Sequence, residues 1–324
     1  VISDEIPVWL FASVLILVGL LLTAPVSYRL AGARWPRRSP RPALVLWQAL
    51  CLAAGFSVVA GLVVFAVEPV GDSLPTGAWN WFAAVFTGTL DVPPWRLLCG
   101  LLALALAGLL LSVLVRTALM IGRRRRAHRR VLDLLTGSAA PRNGRRLIRP
   151  ADVRILDHRA AVAYTVPGLH SRVVLSAGLV ELLTEDELAA VIEHERAHLR
   201  ARHDLLVLPF QAWAVALGRV PGVRPAGGAV SELTEMLADD AAAGRTSCAA
   251  LASALAKVAL SGPPPLVPAG RLADSPAIAG TAVADRVRRL LNPQPLSRLQ
   301  VFGVYALSAV LLAIPASVLL LHWG

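Results

Sequence analysis

LLCGLLALALAGLLLSVLVRTALMIGRRRR, residues 97–126, sets the class of the protein. Leu97 to Val115 carries no charge, the apolar run continues past Arg116 to Ile121, and Arg123 to Arg126 close it. About 20 apolar residues are enough to cross the hydrocarbon core of a bilayer. An arginine near the end of such a helix can bring its guanidinium out to the interface. The stretch therefore predicts a membrane span with a strongly basic end.

Three more runs outward from it are uncharged: Ile6 to Val26, Pro42 to Val67 and Leu299 to Trp323. The whole composition agrees. Of 324 residues, 56% are hydrophobic and 16% are charged, and the mean hydropathy is +0.62. A soluble domain carries about 25% charged residues. These values exclude an ordinary soluble enzyme and an intrinsically disordered chain. The expected architecture is a polytopic α-helical membrane protein: spans at about 6–26, 42–67 and 97–121 within 1–121, an insert over 122–298, and a fourth span with the C-terminus over 299–324.

The flanks orient these spans. Arg29, Arg34, Arg37, Arg38 and Arg41 lie between the first two, and Arg123 to Arg126, Arg129 and Arg130 follow the third. The opposite ends carry Asp4, Glu5, Glu68, Asp72 and Asp91. The positive-inside rule predicts a multi-pass cell-membrane protein with both termini outside and the insert cytoplasmic. The acidic leading end makes the first span a retained anchor rather than a signal peptide. Residues 77–90, with Trp79, Trp81 and Phe82, suit an interfacial helix, a re-entrant piece or a plain loop. The net charge of +11 gathers at membrane edges, which favours anionic lipid over direct contact with nucleic acid. Cys51, Cys99 and Cys248 are too scattered for a disulfide framework or a cysteine metal site.

The insert changes character. Ala139 to Pro150 is a basic linker. Val153–Leu156, Ala161–Val166 and Val173–Ser176 read as short strands, the last two separated by Pro167-Gly168. Thr184 and Glu187 form a capping box for a helix from Glu185 to about Arg202. Leu205 to Leu217 is too short for a confident span and suits a buried helix or one dipping into the bilayer, with Pro209 as a possible kink. Val220 to Gly228 reads as a Pro/Gly loop, and Ser231 as the cap of a helix from Glu232 to about Ala243. Gly262 to Gly270 reads as a surface loop. Ala279 to Leu291 is expected to be an amphipathic helix ended by Asn292-Pro293.

The Glu185 helix contains His194-Glu195-Arg196-Ala197-His198. Residues four apart share a helix face, so His194 and His198 are placed to bind one Zn²⁺. Glu195 is placed to act as general base on an activated water. A catalytic zinc commonly takes three protein ligands. His203 points about 140° away on a continuous helix, so it serves only if the helix breaks. His158 and His170 lie in strand or loop regions. Glu235, on the next polar helix, is the better third ligand, with Asp239 one turn on as acceptor for a ring proton and Asp240 as its rival. His203 and Arg245 are guesses for an oxyanion partner.

LLTEDELAAVIEHERAHLRARHD, residues 182–204, resembles the BlaR/MecR-type membrane zinc metallopeptidases, and more distantly the Ste24/HtpX group. EMLAD (235–239) is similar to their downstream E-x-x-x-D element, whose glutamate is the third zinc ligand; AVADRVRRLL (282–291) resembles a late helix. The resemblance implies an α+β zincin-like peptidase domain between spans three and four. It also implies signal-dependent cleavage of a cytoplasmic transcriptional repressor, with a BlaI/MecI-like winged-helix protein as expected substrate. Family sensors carry a penicillin-binding domain after the fourth span; this sequence ends at Gly324, so direct antibiotic sensing is not expected. A membrane-protein quality-control protease of the HtpX/Ste24 kind and a non-catalytic receptor or scaffold are the alternatives.

Overall fold

The computed structural model describes residues 7–89, 91–135, 152–166, 171–262 and 276–320. Asp4 and Glu5, the 139–150 linker, Pro167-Gly168, His170 and nearly all of the 262–270 loop lie outside the described residues.

Helix α1 (Val8–Leu21) passes through a π-helical turn at Leu22–Val26 into α2 (Ser27–Gly32). Pro25 sits in that turn. It has no N–H to give, and the wider turn accommodates the missing bond. Ser27 Oγ donates to the Leu22 carbonyl at 2.7 Å. Then come α3 (Trp35–Arg38), α4 (Pro40–Val67), α5 (Leu74–Thr87) and α6 (Pro94–Leu135). The aromatic 77–90 segment is thus largely helical, and the Ser73–Thr76 capping box starts it. At 42 residues, α6 is about 63 Å long, roughly twice the hydrocarbon thickness. It continues through the arginines, which are good helix formers.

Strands β1 (Val153–Leu156), β2 (Ala163–Val166) and β3 (Arg172–Ser176) form a sheet in the order β1-β3-β2. β3 is parallel to β1, with Val153 opposite Val173, and antiparallel to β2, with Val166 opposite Arg172. Central β3 reads RVVLS, and its Val173, Val174 and Leu175 are buried. Six helices follow it: α7 (Ala177–Leu182), α8 (Glu185–Arg200), α9 (His203–Leu217), α10 (Val223–Ala243), α11 (Cys248–Leu260) and α12 (Pro276–Leu291). The last apolar helix is α13 (Arg298–Ala316). The described chain is mostly helical with a small sheet. Four of its helices are long and apolar enough to cross a membrane: Val8–Gly32, Pro40–Val70, Pro94–Arg123 and Arg298–Ala316.

Two expectations are corrected. The Pro/Gly stretch from Val220 to Gly228 is not a loop throughout, because α10 already begins at Val223. Pro225 falls in the first turn, where a backbone N–H has no helical partner, so proline costs little there. The cap is Gly222, at φ 95°, and Ser231 lies inside the helix. The second correction is that α8 ends at Arg200, not Arg202.

The central long apolar helix is α4, and α9 and α10 share its core. One buried cluster joins Leu46, Trp47 and Leu50 of α4 to Val207 and Phe210 of α9 and to Val230 and Leu233 of α10. Trp47 meets Phe210 edge to face at 6.2 Å. Gln48 Nε2 donates to the Leu206 carbonyl at 2.8 Å, so this polar group of α4 is satisfied by α9. Helix α10 and the segment after α12 meet the arginine-bearing end of the bundle. There Arg37 makes a two-point pair with Glu232 of α10 (2.7 and 3.1 Å), Arg38 Nε donates to the Gln294 carbonyl, and the Leu296 N–H donates to Ser39 Oγ. Val318 packs with Ala12, Leu15 and Val64 in a separate cluster.

Candidate metal centre

One local and two long-range devices place α8. Thr184 Oγ1 accepts from the Glu187 N–H while the Glu187 carboxylate accepts from the Thr184 N–H, closing the capping box. Leu188 and Val191 turn inward against Val153, Val173, Leu175 and Leu179. Arg196, between the two motif histidines, donates from Nε and Nη2 to Asp152 beside β1 (2.9 and 2.8 Å) and from Nη1 to Glu193. The helix is therefore fixed at its start, along its apolar face and near its end.

His194 and His198 bring their Nε2 atoms to 3.2 Å of each other. From α10, Glu235 Oε2 lies 3.6 Å from His194 Nε2, and Oε1 lies 3.5 Å from His198 Nε2. Ligand atoms around a tetrahedral zinc at 2.0–2.1 Å stand about 3.3–3.4 Å apart. Two imidazole nitrogens and a carboxylate with these spacings are a zinc-type donor set. These are the residues the sequence brought forward, and the structure assembles them from two helices. The next α8 residue, Glu195, is buried.

Asp239 is fully buried, one turn beyond Glu235. Its Oδ1 is 3.0 Å from His194 Nδ1, short enough for an ion pair, though the ring N–H is not aligned for a hydrogen bond. Its rival Asp240 faces outward and pairs with Arg289 through two 2.7 Å bonds. The sequence reading did not single out Arg286 of α12. Its Nε and Nη2 each donate to Asp239 at 2.7 Å, and its Nη1 lies 3.2 Å from Glu235 Oε2. The only sequence signal for it was the resemblance of 282–291 to a late helix.

The histidine five residues past His198 also reaches the site. Arg202 adopts φ 47°, ψ 47° between α8 and α9, so the chain turns and His203 opens α9. Its ring stands edge to face on His198 at 4.8 Å, and the two Nδ1 atoms are 3.0 Å apart. His158 does not join the described cluster: it is exposed, and its Nδ1 accepts from the Ala160 N–H. Arg245 is exposed too and lies 3.4 Å from Glu193 Oε2.

The electrostatics favour positive charge at the centre. Burial opposes protonation of His194, but Asp239 and then Glu235 outweigh it and raise the ring to about 9. Burial alone would raise the Asp239 carboxyl; Arg286 and His194 instead hold it below its ordinary range. Burial lowers His203, with Glu235 pulling the other way.

Residues 123–281 match the family model of Peptidase family M48. The matched segment contains His194, Glu195, His198, Glu235 and Asp239, and it ends before Arg286. The match supports a metallopeptidase of the M48 family, a metal-dependent group that typically uses zinc. No curated protein and no solved structure matches the chain. The matched segment accompanies four helices long and apolar enough to cross a membrane.

Proposed function

We propose that the protein is a zinc-dependent membrane endopeptidase that cuts a cytoplasmic transcriptional repressor, of the BlaI/MecI-like winged-helix kind, in response to a signal. One observation carries the chemistry: His194, His198 and Glu235 offer ligand atoms that all lie within 4.8 Å of one another. These three residues hold the metal. Bound there, zinc supplies Lewis acidity toward water and the scissile carbonyl. Glu195 takes a proton from the attacking water as the new C–O bond forms. As the C–N bond breaks, the same carboxyl delivers that proton to the departing amine. Asp239, 3.0 Å from His194 Nδ1, steadies that ring by its charge, and Arg286 holds Asp239 in place.

The gathering of arginines at the peptidase end supports a cytoplasmic site, with both termini outside and anionic lipid at the basic rim. The resemblance of 182–204 to BlaR/MecR-type peptidases supports a repressor as substrate. One feature favours a second reading, membrane-protein quality control. α9 starts beside the site, shares the core of α4, and leaves Leu205 and Val215 exposed, so the centre sits close to the apolar bundle.

Glu195→Gln should retain the metal and lose proteolysis, because it keeps the shape and removes the base. A variant with full activity would defeat the mechanism. Trapping partners on Glu195→Gln in its own host separates the two substrates. A winged-helix repressor supports the first reading, and misfolded membrane proteins support the second.

A further inference from the structure

We propose that His203 is a positioning residue: it accepts the Nδ1–H of His198 and so fixes the tautomer and orientation that aim His198 Nε2 at the metal. This rests on the zinc reading above.

An imidazole that binds a metal through Nε2 carries its proton on Nδ1, and that proton needs an acceptor. His194 has Asp239 on its Nδ1 side. His198 has the Nδ1 of His203 at 3.0 Å. His203 is 4% exposed, so its ring is held by packing. The approach exists only because the helix breaks. Five residues along an unbroken helix the ring would face away. Arg202 instead takes a left-handed conformation, with φ 47°, which most side chains disfavour. The Leu205 N–H closes onto the Arg202 carbonyl at 2.9 Å and starts α9 in its new direction. One α8 histidine is thus oriented by a carboxylate from α10, and the other by a neutral imidazole from α9. A carboxylate is the stronger acceptor, so the two ligands differ in basicity.

The test compares three forms of the full chain in detergent: wild type, His203→Gln and His203→Phe. Glutamine keeps an acceptor and loses the ring. Phenylalanine keeps a buried ring and loses the acceptor. Zinc affinity is read by chelator competition, and the visible spectrum of the cobalt-loaded protein reports the ligand geometry. His203→Phe should bind zinc 10–100-fold more weakly and show an altered cobalt spectrum, with His203→Gln recovering most of both. Equal zinc affinity and an unchanged spectrum in the phenylalanine variant would overturn the proposal. So would equal losses in the two variants, which point to packing alone. Should His203→Phe fail to fold, a glutamine variant with wild-type affinity and spectrum supports the acceptor role, and a weakened one overturns it. A wild-type chain that binds no zinc would instead refute the metallopeptidase reading itself.

Discussion

Arg286 holds two carboxylates that would otherwise repel each other across the buried centre. Its fork grips both oxygens of Asp239 at 2.7 Å and its remaining nitrogen reaches Glu235. The guanidinium is 10% exposed and Asp239 1% exposed, so little water is present to replace it. Removing one member of a buried ion pair leaves an uncompensated charge and costs about 3–5 kcal/mol. Arg286→Gln should therefore lower the melting temperature sharply and weaken zinc retention. Asp239→Asn introduced with it should cost less than the sum of the two single changes, because the partners act as a unit. Strict additivity in thermal melts would show that the two residues are not coupled. Nothing in the local sequence marks Arg286 out from Arg288 and Arg289. Which arginine faces the centre depends on the rotation of α12 against α10, a tertiary fact. His203 was named only on condition that the helix broke, and the break was hidden for a related reason: a left-handed arginine carries no sequence signature, whereas a glycine there would have announced it.

At the scale of elements, α8 was legible almost throughout, and α10 only in its second half, from Glu232 to Ala243. The capping box, the apolar spacing and the motif all agree on α8, and local agreement of this kind makes a helix readable. α10 begins with Val-Arg-Pro-Ala-Gly-Gly, a composition that favours turns. Packing overrides it: Val223, Ala226 and Val230 are buried, and Pro225 lies where no N–H is required. The same α8 also binds α11. Glu187 accepts from Ser253 Oγ at 2.6 Å and from Lys257 Nζ at 2.8 Å as well as capping its own helix. Burial would raise this carboxyl, yet Lys257, Ser253 and the Thr184 N–H outweigh it and hold it at about 2. A carboxyl ordinarily near 4.3 and lowered in the folded state stabilises fully above that value. Its contribution is lost as pH falls toward 2. Thermal melts should therefore show the wild type weakening below about pH 5. Glu187→Gln should be less stable at pH 7 and change less over that range. Asp152, Glu193 and Asp239, all lowered, keep their own share of the acid slope. An unchanged slope in Glu187→Gln would contradict the assignment.

For the whole molecule, the central question is how a metal centre is held against a bundle of apolar helices. The four long apolar helices were readable because length and hydropathy suffice for them; the core that α4 shares with α9 and α10 was not, since it depends on contacts between distant segments. α10 is the common member. It carries Glu235 and Asp239, pairs Glu232 with Arg37, and is capped by Gly222 against the π-helical turn between α1 and α2. A Cβ on Gly222 would stand 2.6 Å from the Ala24 carbonyl oxygen and 3.1 Å from that of Thr23, and φ is +95°. Gly222→Ala therefore meets two penalties: about 1–2 kcal/mol for the left-handed backbone and about 1–3 kcal/mol for overpacking. The backbone has to move, and α10 moves with it. The expected outcome is a lower melting temperature together with weaker zinc binding, although Gly222 lies 13 residues before Glu235. Gly228 provides the internal control. It lies in the same helix, faces open space and is exposed, so Gly228→Ala should be neutral or stabilising by up to about 1 kcal/mol. If both variants melt and bind zinc like the wild type, close seating of α10 on the α1–α2 turn is not what holds Glu235 in register with the α8 histidines. If only Gly222→Ala loses zinc, the metal centre depends on a contact between the first apolar helix and α10, and the protein works as one packed unit.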